Sequence, residues 1–461
     1  MNKNVKASTW YLFGNLFDKA IAFLTIPIFT RMFTTSEYGV VSTYISYVSI
    51  LAIVLGLSMD SSIQNAYFDF QDDIESYVST TIIAAGIFTL IFLAFIFIFV
   101  RYVDGGIPIV LIPMAIIQGF MMYVLNVAKM YYMMQVKYIQ RVILMSVPHT
   151  LISFLSVWGI MMCDTDKYMG RIIPYVLVIA IFGIYIGIFF WRKAKNKFKK
   201  EYFSYAIKYS LPLVFHGLSL QILAQCDKIM LSSMRSSAET GIYSLIYNVG
   251  LVSQVFTNAF DNAWLPWYQR KMNEENRAET INKNATRLMI IVAVIVIGIV
   301  ILSPEIIKIL ATEEYWSGTT MVVPIIGGTY IMFMYTLEVH TEYYYKSTKQ
   351  IPLYTAIAAF SNFVLNFIFI PSYGALAAAY TSLVSYGISF VLHYRAAHKC
   401  NKSVLPFNVF IIPSVMVVAG SIFMVIFIDK IFVRWSVAIT IGVFFLIYSF
   451  KNDLLHSMLK D

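Results

Sequence analysis

Apolar residues run through this chain in long blocks, each closed by a short polar stretch, from the first tens of residues to the last. A block of about twenty such residues crosses a bilayer core of about 30 Å as one helix, the form that satisfies its own backbone in lipid. Cut at the charged breaks, the pattern predicts about fourteen spans. These cover 9–32, 39–63, 77–100, 107–128, 141–162, 171–191, 208–234, 241–265, 286–310, 319–345, 352–370, 374–394, 406–428 and 431–450. The connections are short and leave no room for an inserted soluble domain. The expected class is an all-α polytopic membrane protein.

The pattern also repeats. Glu37-Tyr38-Gly39-Val40-Val41-Ser42 returns as Glu239-Thr240-Gly241-Ile242-Tyr243-Ser244 at an offset of 202, and Asp60 and Asp261 continue the echo at 201. Each copy joins two helices at the same point of a hairpin. An offset spanning six helices, an even number, predicts two lobes in a parallel repeat about an axis along the membrane normal. The expected division is a six-helix lobe over 1–200, a second over 201–400, and an added helix pair with a cytoplasmic tail over 401–461. The run Arg192-Lys193-Ala194-Lys195-Asn196-Lys197-Phe198-Lys199-Lys200 reads as the linker between lobes. The motif residues Glu37, Gly39, Asp60, Glu239, Gly241 and Asp261 read as scaffold of this repeat.

Charge fixes the expected orientation. About 24 of the 34 Lys and Arg residues fall at the N-terminus, in the even-to-odd connections or at the C-terminus. By the positive-inside rule both termini are cytoplasmic. The loop 65–76, with Asp69, Asp72, Asp73 and Glu75 and no base, is the exception. The net charge of +9 is therefore a topology signal, with anionic lipid as a contact, and nucleic acid is not an expected partner. Composition agrees, with 59% hydrophobic and only 13% charged residues. The N-terminal sequence reads as a span that serves as both targeting signal and anchor.

Ionisable residues inside spans are the candidate functional groups, because each costs about 2.5–3.5 kcal/mol to insert and needs a wet cavity or a partner. Span one carries Asn15, Asp18 and Lys19, then Pro27 and Arg31. Asn15 and Lys19 share a face; Asp18 points about 100° away. Lys19 is too deep to snorkel easily and either lines a cavity or pairs with a carboxylate, whereas Arg31 suits snorkelling to the outer interface. Span seven holds Asp227, too short to reach the interface, and Lys228. Asp60 and Asp261 suit capping near the cytoplasmic ends of spans two and eight. Span ten holds Glu338, His340 and Glu342; the glutamates share a face and His340 lies off it, which makes a protonatable cluster and a poor zinc site. His149 and His216 read as packed histidines. Pro27 and Pro212 sit in corresponding first helices of the two halves, as bends do in transporters.

Other chemistry is missing. No GxxxxGK[ST], GxSxG, HExxH or paired CxxC occurs. Cys163, Cys226 and Cys400 are widely spaced and read as packing residues, with neither a disulfide framework nor a metal site. Asp164-Thr165-Asp166 matches a short glycosyltransferase motif but falls in an expected outer loop. No cofactor is expected, and the chain does not read as an enzyme.

Two hairpins resemble a known family. The stretch from Trp10 through Thr25-Ile26-Pro27-Ile28-Phe29-Thr30-Arg31 to Glu37-Tyr38-Gly39, then Gly56-Leu57-Ser58-Met59-Asp60-Ser61-Ser62-Ile63, is similar to the first hairpin of Wzx-type flippases, bacterial polysaccharide exporters of the MOP (MATE-like) superfamily. Ser210-Leu211-Pro212, Asp227-Lys228, Gly241-Ile242-Tyr243-Ser244 and Ala263-Trp264-Leu265-Pro266 resemble the second. The resemblance implies two six-helix lobes around a central cavity that opens alternately to each side of the bacterial cytoplasmic (inner) membrane. It implies as cargo an undecaprenyl-diphosphate-linked oligosaccharide repeat unit, flipped to the outer leaflet for O-antigen or capsule assembly beside polymerase and chain-length machinery. Lys19, Arg31 and Lys228 would then pair with the diphosphate. Asp18 and Asp227, with Glu338 and Glu342, would serve as cavity or ion-coupling carboxylates. Few basic residues lie inside the spans, unlike in the related lipid II flippases. The alternatives are a multidrug or metabolite exporter of the same superfamily, which typically has twelve helices, and a membrane polysaccharide polymerase, which would need a polar catalytic loop.

Overall fold

In the computed structural model, which describes residues 3–99, 105–402 and 404–451, each apolar block is helical and no strand occurs among the described residues. The helices are α1 (Lys3–Met32), α2 (Thr35–Gly56), α3 (Met59–Asp69), α4 (Ile74–Phe99), α5 (Leu111–Met134), α6 (Tyr138–Met161) and α7 (Lys167–Lys193). They continue as α8 (Lys200–Met234), α9 (Ser237–Lys271), α10 (Arg277–Leu310), α11 (Val322–Tyr344), α12 (Ile351–Cys400), α13 (Asn408–Ile426) and α14 (Ile431–Lys451). Nine helical stretches among the described residues are long and apolar enough to cross a membrane. The chain forms two compact units, Met1–Gly241 and Ile242–Asp461. Residues 452–461 of the expected tail, and the side chain of Asn15, lie outside the described residues.

Two details depart from the hydropathy reading. The second span is not one helix. α2 stops at Gly56, and Leu57 and Ser58 both adopt left-handed backbone, with φ of 47° and 49°. That conformation is unfavourable for residues with a Cβ, so the break is held from outside. Tyr123 of α5 packs so closely on Gly56 that a Cβ there would sit 2.1 Å from its ring. The helices also outrun the spans where the connections are basic: α8, α9 and α10 extend about two turns further into charged sequence. Hydropathy marks hydrocarbon thickness; backbone hydrogen bonding continues into the interface. Asp60 therefore sits in the first turn of α3, where it accepts backbone amides as a capping carboxylate does, whereas Asp261 lies more than two turns inside α9. Spans eleven and twelve, by contrast, meet where expected. α12 breaks at Gly374, whose φ of 58° suits glycine. The two arms are stapled by Asn362 to Ser382 (3.1 Å) and by Thr381 to Asn366, with Asn366 bonded to Asn362 (3.1 Å) within the first arm.

The repeated motif makes helix-start contacts at both sites. Thr34 and Glu37 form a reciprocal capping box at the start of α2, with N–H to side-chain distances of 3.0 and 3.2 Å. The Glu37 carboxylate also accepts from the Lys167 amide at 2.9 Å, tying α2 to the start of α7. In the second copy the Glu239 amide donates to Ser236 Oγ at 3.2 Å, and Glu239 pairs with Arg235 at 3.1 Å. The two glycines of the motif meet each other. A Cβ on Gly39 would lie 1.7 Å from the Ser237 carbonyl oxygen, and one on Gly241 would lie 1.9 Å from the Thr35 carbonyl oxygen. The contact is reciprocal under the sequence offset, as a twofold relation requires, and only glycine lets the two helix starts approach this closely.

The acidic loop that breaks the charge pattern also has a partner. Lys199 of the lysine-rich run pairs with Asp73 at 2.5 Å, and Tyr202 donates to the same carboxylate oxygen at 2.7 Å. Tyr205 donates to Asp69 at 2.5 Å, while the Asn196 and Lys199 amides donate to Ser76 and Thr80, both at 3.1 Å. Partial burial opposes ionisation of Asp73, but hydrogen bonds from Lys199, Ser76 and Tyr202 outweigh it and draw the carboxyl down to about 2. Hydrogen bonds to Asp73 and Tyr202 push the Lys199 ammonium up. The loop is acidic because it receives the basic run.

Candidate functional site

In the first unit, charged side chains from four helices converge. Asp18 of α1 lies 3.7 Å from Nδ1 of His149 on α6, an ion pair when the imidazole is protonated. Lys129, a turn and a half from the end of α5, acts electrostatically on Asp18, Asp60 and Arg141, and on His149. Asp60 accepts from the amides of Asp60 and Ser61 in the first turn of α3, which the break at Leu57-Ser58 turns toward α5. Asp18 keeps one carboxylate oxygen, Oδ1, buried without a hydrogen-bond partner. The cluster holds Lys129 and Arg141 against Asp18 and Asp60, with His149 as the group of variable charge. Lys19, next in sequence to Asp18, is exposed on α1, and no ion pair among the described residues involves it.

The remaining candidates of this unit are apart from that cluster. Arg31 is exposed in the last turn of α1 and donates to the Pro27 carbonyl at 2.8 Å. Pro27 and Pro212 lie within unbroken helices. On α8, Asp227 is buried, while Lys228 turns back to Gln225 Oε1 at 3.3 Å, an oxygen that also accepts from Ser46 of α2 at 2.9 Å. The three cysteines are free and half-buried.

The second unit carries a cluster of different chemistry. Asp261 of α9 bonds His340 Nε2 on α11 at 2.6 Å. One half-turn on, Glu342 of α11 bonds His393 Nδ1 on α12 at 2.7 Å, with the imidazole stacked on Tyr335 and edge-on to Tyr354. Between these pairs lies Glu338, 0% exposed, with neither carboxyl oxygen hydrogen-bonded. His340 is off the glutamate face, as its position on a helix dictates, and that is why it reaches α9 while Glu342 reaches α12. No group of three or more metal-ligating side chains forms among the described residues.

The same unit holds α14 by a buried ion pair. Arg434 Nη1 donates to Glu305 Oε2 at 2.6 Å and to the Ile301 carbonyl at 2.8 Å, and Nη2 donates to Glu305 Oε1 at 2.5 Å. Beside it, α10, α13 and α14 line an open apolar groove of about 640 Å³, formed by Val294, Ile297, Met416, Phe423, Ile441 and Phe444 among others.

Sequence reasoning missed Lys129, His393, Glu305 and Arg434. Lys129 fell one residue past the expected end of its span, so it counted as a loop residue. The other three were inside spans, where any ionisable group is a signal, but their partners are distant in sequence.

The family described as "Polysaccharide biosynthesis protein" matches residues 5–272, more than half of the chain. The chain belongs to that family. It is 22% identical over 399 residues to the "Probable low-salt glycan biosynthesis flippase Agl15" of Haloferax volcanii, covering 84% of this chain and 82% of the relative. Among solved structures it is similar to "Lipid II flippase MurJ, inward closed conformation", with a TM-score of 0.73, 14% identity and coverage of 98% of this chain and 100% of that one. It also resembles an inward-facing MATE family transporter of the MOP superfamily, with a TM-score of 0.60, 12% identity and coverage of 83% and 96%. The family and its transporter fold agree with what the two hairpins of the sequence resemble.

Proposed function

We propose that this member of the polysaccharide biosynthesis family is a flippase. Its cargo is an undecaprenyl-diphosphate-linked oligosaccharide repeat unit, moved from the cytoplasmic to the outer leaflet of the bacterial inner membrane by alternating access. Both termini are cytoplasmic, and the lobes 1–200 and 201–400 act as the moving halves. The observation that carries this reading is the charged cluster of the first unit. Lys129, Arg141, Asp18, Asp60 and His149 are half-buried together, four of them on the largely apolar helices α1, α5 and α6, and charge gathered there suits a polar cargo. A glycan and a diphosphate cannot cross hydrocarbon; a polyprenyl tail can remain in it. Lys19 and Lys129 supply cations for the diphosphate, and Arg31 and Lys228 hold the same sign nearer the outer side. The apolar groove of about 640 Å³ among α10, α13 and α14 has the chemistry of an isoprenoid chain. Asp18 and Asp227 are the coupling carboxylates in this reading, and polymerase and chain-length proteins are the downstream partners.

A drug-exporter reading draws on the MATE-like fold but leaves the α13–α14 pair and its Arg434–Glu305 anchor without a task. The deciding experiment is gene deletion with analysis of surface glycan and of lipid-linked intermediates. The reading expects loss of polymer with repeat units stranded on the cytoplasmic leaflet, restored by wild type and not by Lys19→Ala made at equal abundance. Normal glycan in the deletion strain, with new drug sensitivity, would overturn it.

A further inference from the structure

The second unit contains a fully buried carboxyl group that its surroundings do not satisfy as an anion. Glu338 is 0% exposed and neither oxygen has a hydrogen-bond partner, so a charge there would be left without water, base or donor. One turn along the same face stands Glu342, the charge that acts on it. Glu342 is itself closed off: its exposure is 0%, Oε1 is taken by His393, and Oε2 is buried without a partner. Asp261 and His340 form the second carboxylate–imidazole pair, with His340 Nδ1 buried and unpartnered.

The neighbours set the proton count. On α9 the facing groups are Asp261 and Tyr268, the latter bonded to Thr341 of α11 at 2.6 Å and under the field of Glu338. On α12 they are His393, Tyr354, which feels Glu342, and Tyr394, which feels Glu338. On α11 itself they are Tyr335, His340 and Glu342. α10 carries Arg277, Glu279, Lys283 and Arg287 in its first three turns and Lys308 in its last, while its Glu305 is taken by Arg434; α13 has no ionisable side chain. Each carboxylate of the two pairs has an imidazole nitrogen within hydrogen-bond distance. Glu338 has no imidazole and is neutral only with a proton of its own.

We propose that Glu338 is a proton-binding site of the second unit, loaded while α9, α11 and α12 are closed around it and emptied when that packing opens to water. The ligand is a proton, and the two flanking carboxylate–imidazole pairs form the route by which it arrives and leaves. The site deepens the flippase reading, on which its coupling role rests; the protonation itself is measured without transport.

The first measurement is the infrared absorption of the full-length protein in lipid vesicles at neutral pH, compared between wild type and variants. The expected result is a protonated-carboxyl carbonyl band at neutral pH that is lost in Glu338→Gln and kept in Asp18→Asn. Absence of the band in the wild type, or its survival in Glu338→Gln, overturns the proposal. So does its removal by added sodium at constant pH, which would mark a metal-cation site. Glu338→Gln mimics the neutral acid and is expected to fold with a melting temperature close to wild type; failure to fold also counts against a neutral Glu338. The second measurement follows lipid-linked oligosaccharide in vesicles carrying a pH gradient. Glu338→Gln is expected to retain exchange and to lose gradient-driven accumulation, and wild-type accumulation in this variant overturns the coupling role. If the wild-type protein moves no lipid-linked oligosaccharide, the flippase reading fails while the infrared result stands by itself.

Discussion

The duplicated aspartate meets a different partner in each unit. Asp60 faces Lys129, a lysine ammonium that also acts on Asp18 and stands beside Arg141. Asp261 faces His340, an imidazole whose charge depends on a proton. The backbone around them differs as well: α3 is set off from α2 by two left-handed residues, while α9 runs unbroken past the equivalent position. The two copies of the hairpin thus meet lysine and arginine in the first unit and carboxylate–imidazole pairs in the second. Cations suit a phosphate-bearing cargo; buried acids and imidazoles suit the binding and release of protons.

What the copies share is tested by the glycines. Gly39→Ala and Gly241→Ala each drive a methyl group into backbone of the other copy, which cannot yield as a side-chain tip would. Each is expected to cost about 3 kcal/mol or more, seen as a large drop in melting temperature of the purified protein. The two losses should match. A tolerated Gly241→Ala beside a crippling Gly39→Ala would break the twofold relation.

A feature belonging only to the second unit comes next. Arg434→Ala leaves the Glu305 carboxylate largely buried and unpaired, and is expected to destabilise by about 3 kcal/mol. The double variant Arg434→Met/Glu305→Leu should recover most of that loss. Recovery fixes the role as structural anchoring of α14; continued instability would mean the pair does more than hold the helix.

The smallest effect belongs to the acidic loop of the first unit. The Asp73 carboxyl is held at about 2, below the usual value of about 3.9. Its contribution is therefore complete above about pH 4 and disappears as pH falls toward 2. The Lys199 ammonium is raised, so its share is complete below about pH 10 and is lost only in stronger alkali. Asp73→Asn is expected to lower the melting temperature slightly and equally between pH 5 and 9, and to make no difference near pH 2. A loss that varied across the neutral range would point to another titrating group.

Much of this was legible in the sequence, for reasons that particular residues make clear. Apolar block length gave the helices because lipid forces each block to satisfy its own backbone. Glu37 and Gly39 stood out as scaffold through the repeat, but the cap to Thr34 and the close approach of the glycines emerge only in the structure. The break at Leu57-Ser58 was hidden, because it is imposed by packing from Tyr123 and not by a helix-breaking residue of its own. The clusters were half visible. Asp18, Glu338 and Glu342 stood out as charges in apolar helices, but Lys129, His393 and Arg434 acquire meaning only from partners 51 to 129 residues away or on other helices. A single sequence carries no record of such pairing.

The most direct test of the account is flipping of a fluorescent lipid-linked oligosaccharide by the purified protein in sealed vesicles, comparing wild type with Lys129→Ala and Lys129→Arg. Loss of one charge-assisted contact to the diphosphate is expected to slow transport about tenfold or more in Lys129→Ala. Lys129→Arg, which keeps the cation, should recover most of the rate, and both variants should keep wild-type abundance. Wild-type transport by Lys129→Ala would contradict the assignment of the first unit's cations to the cargo.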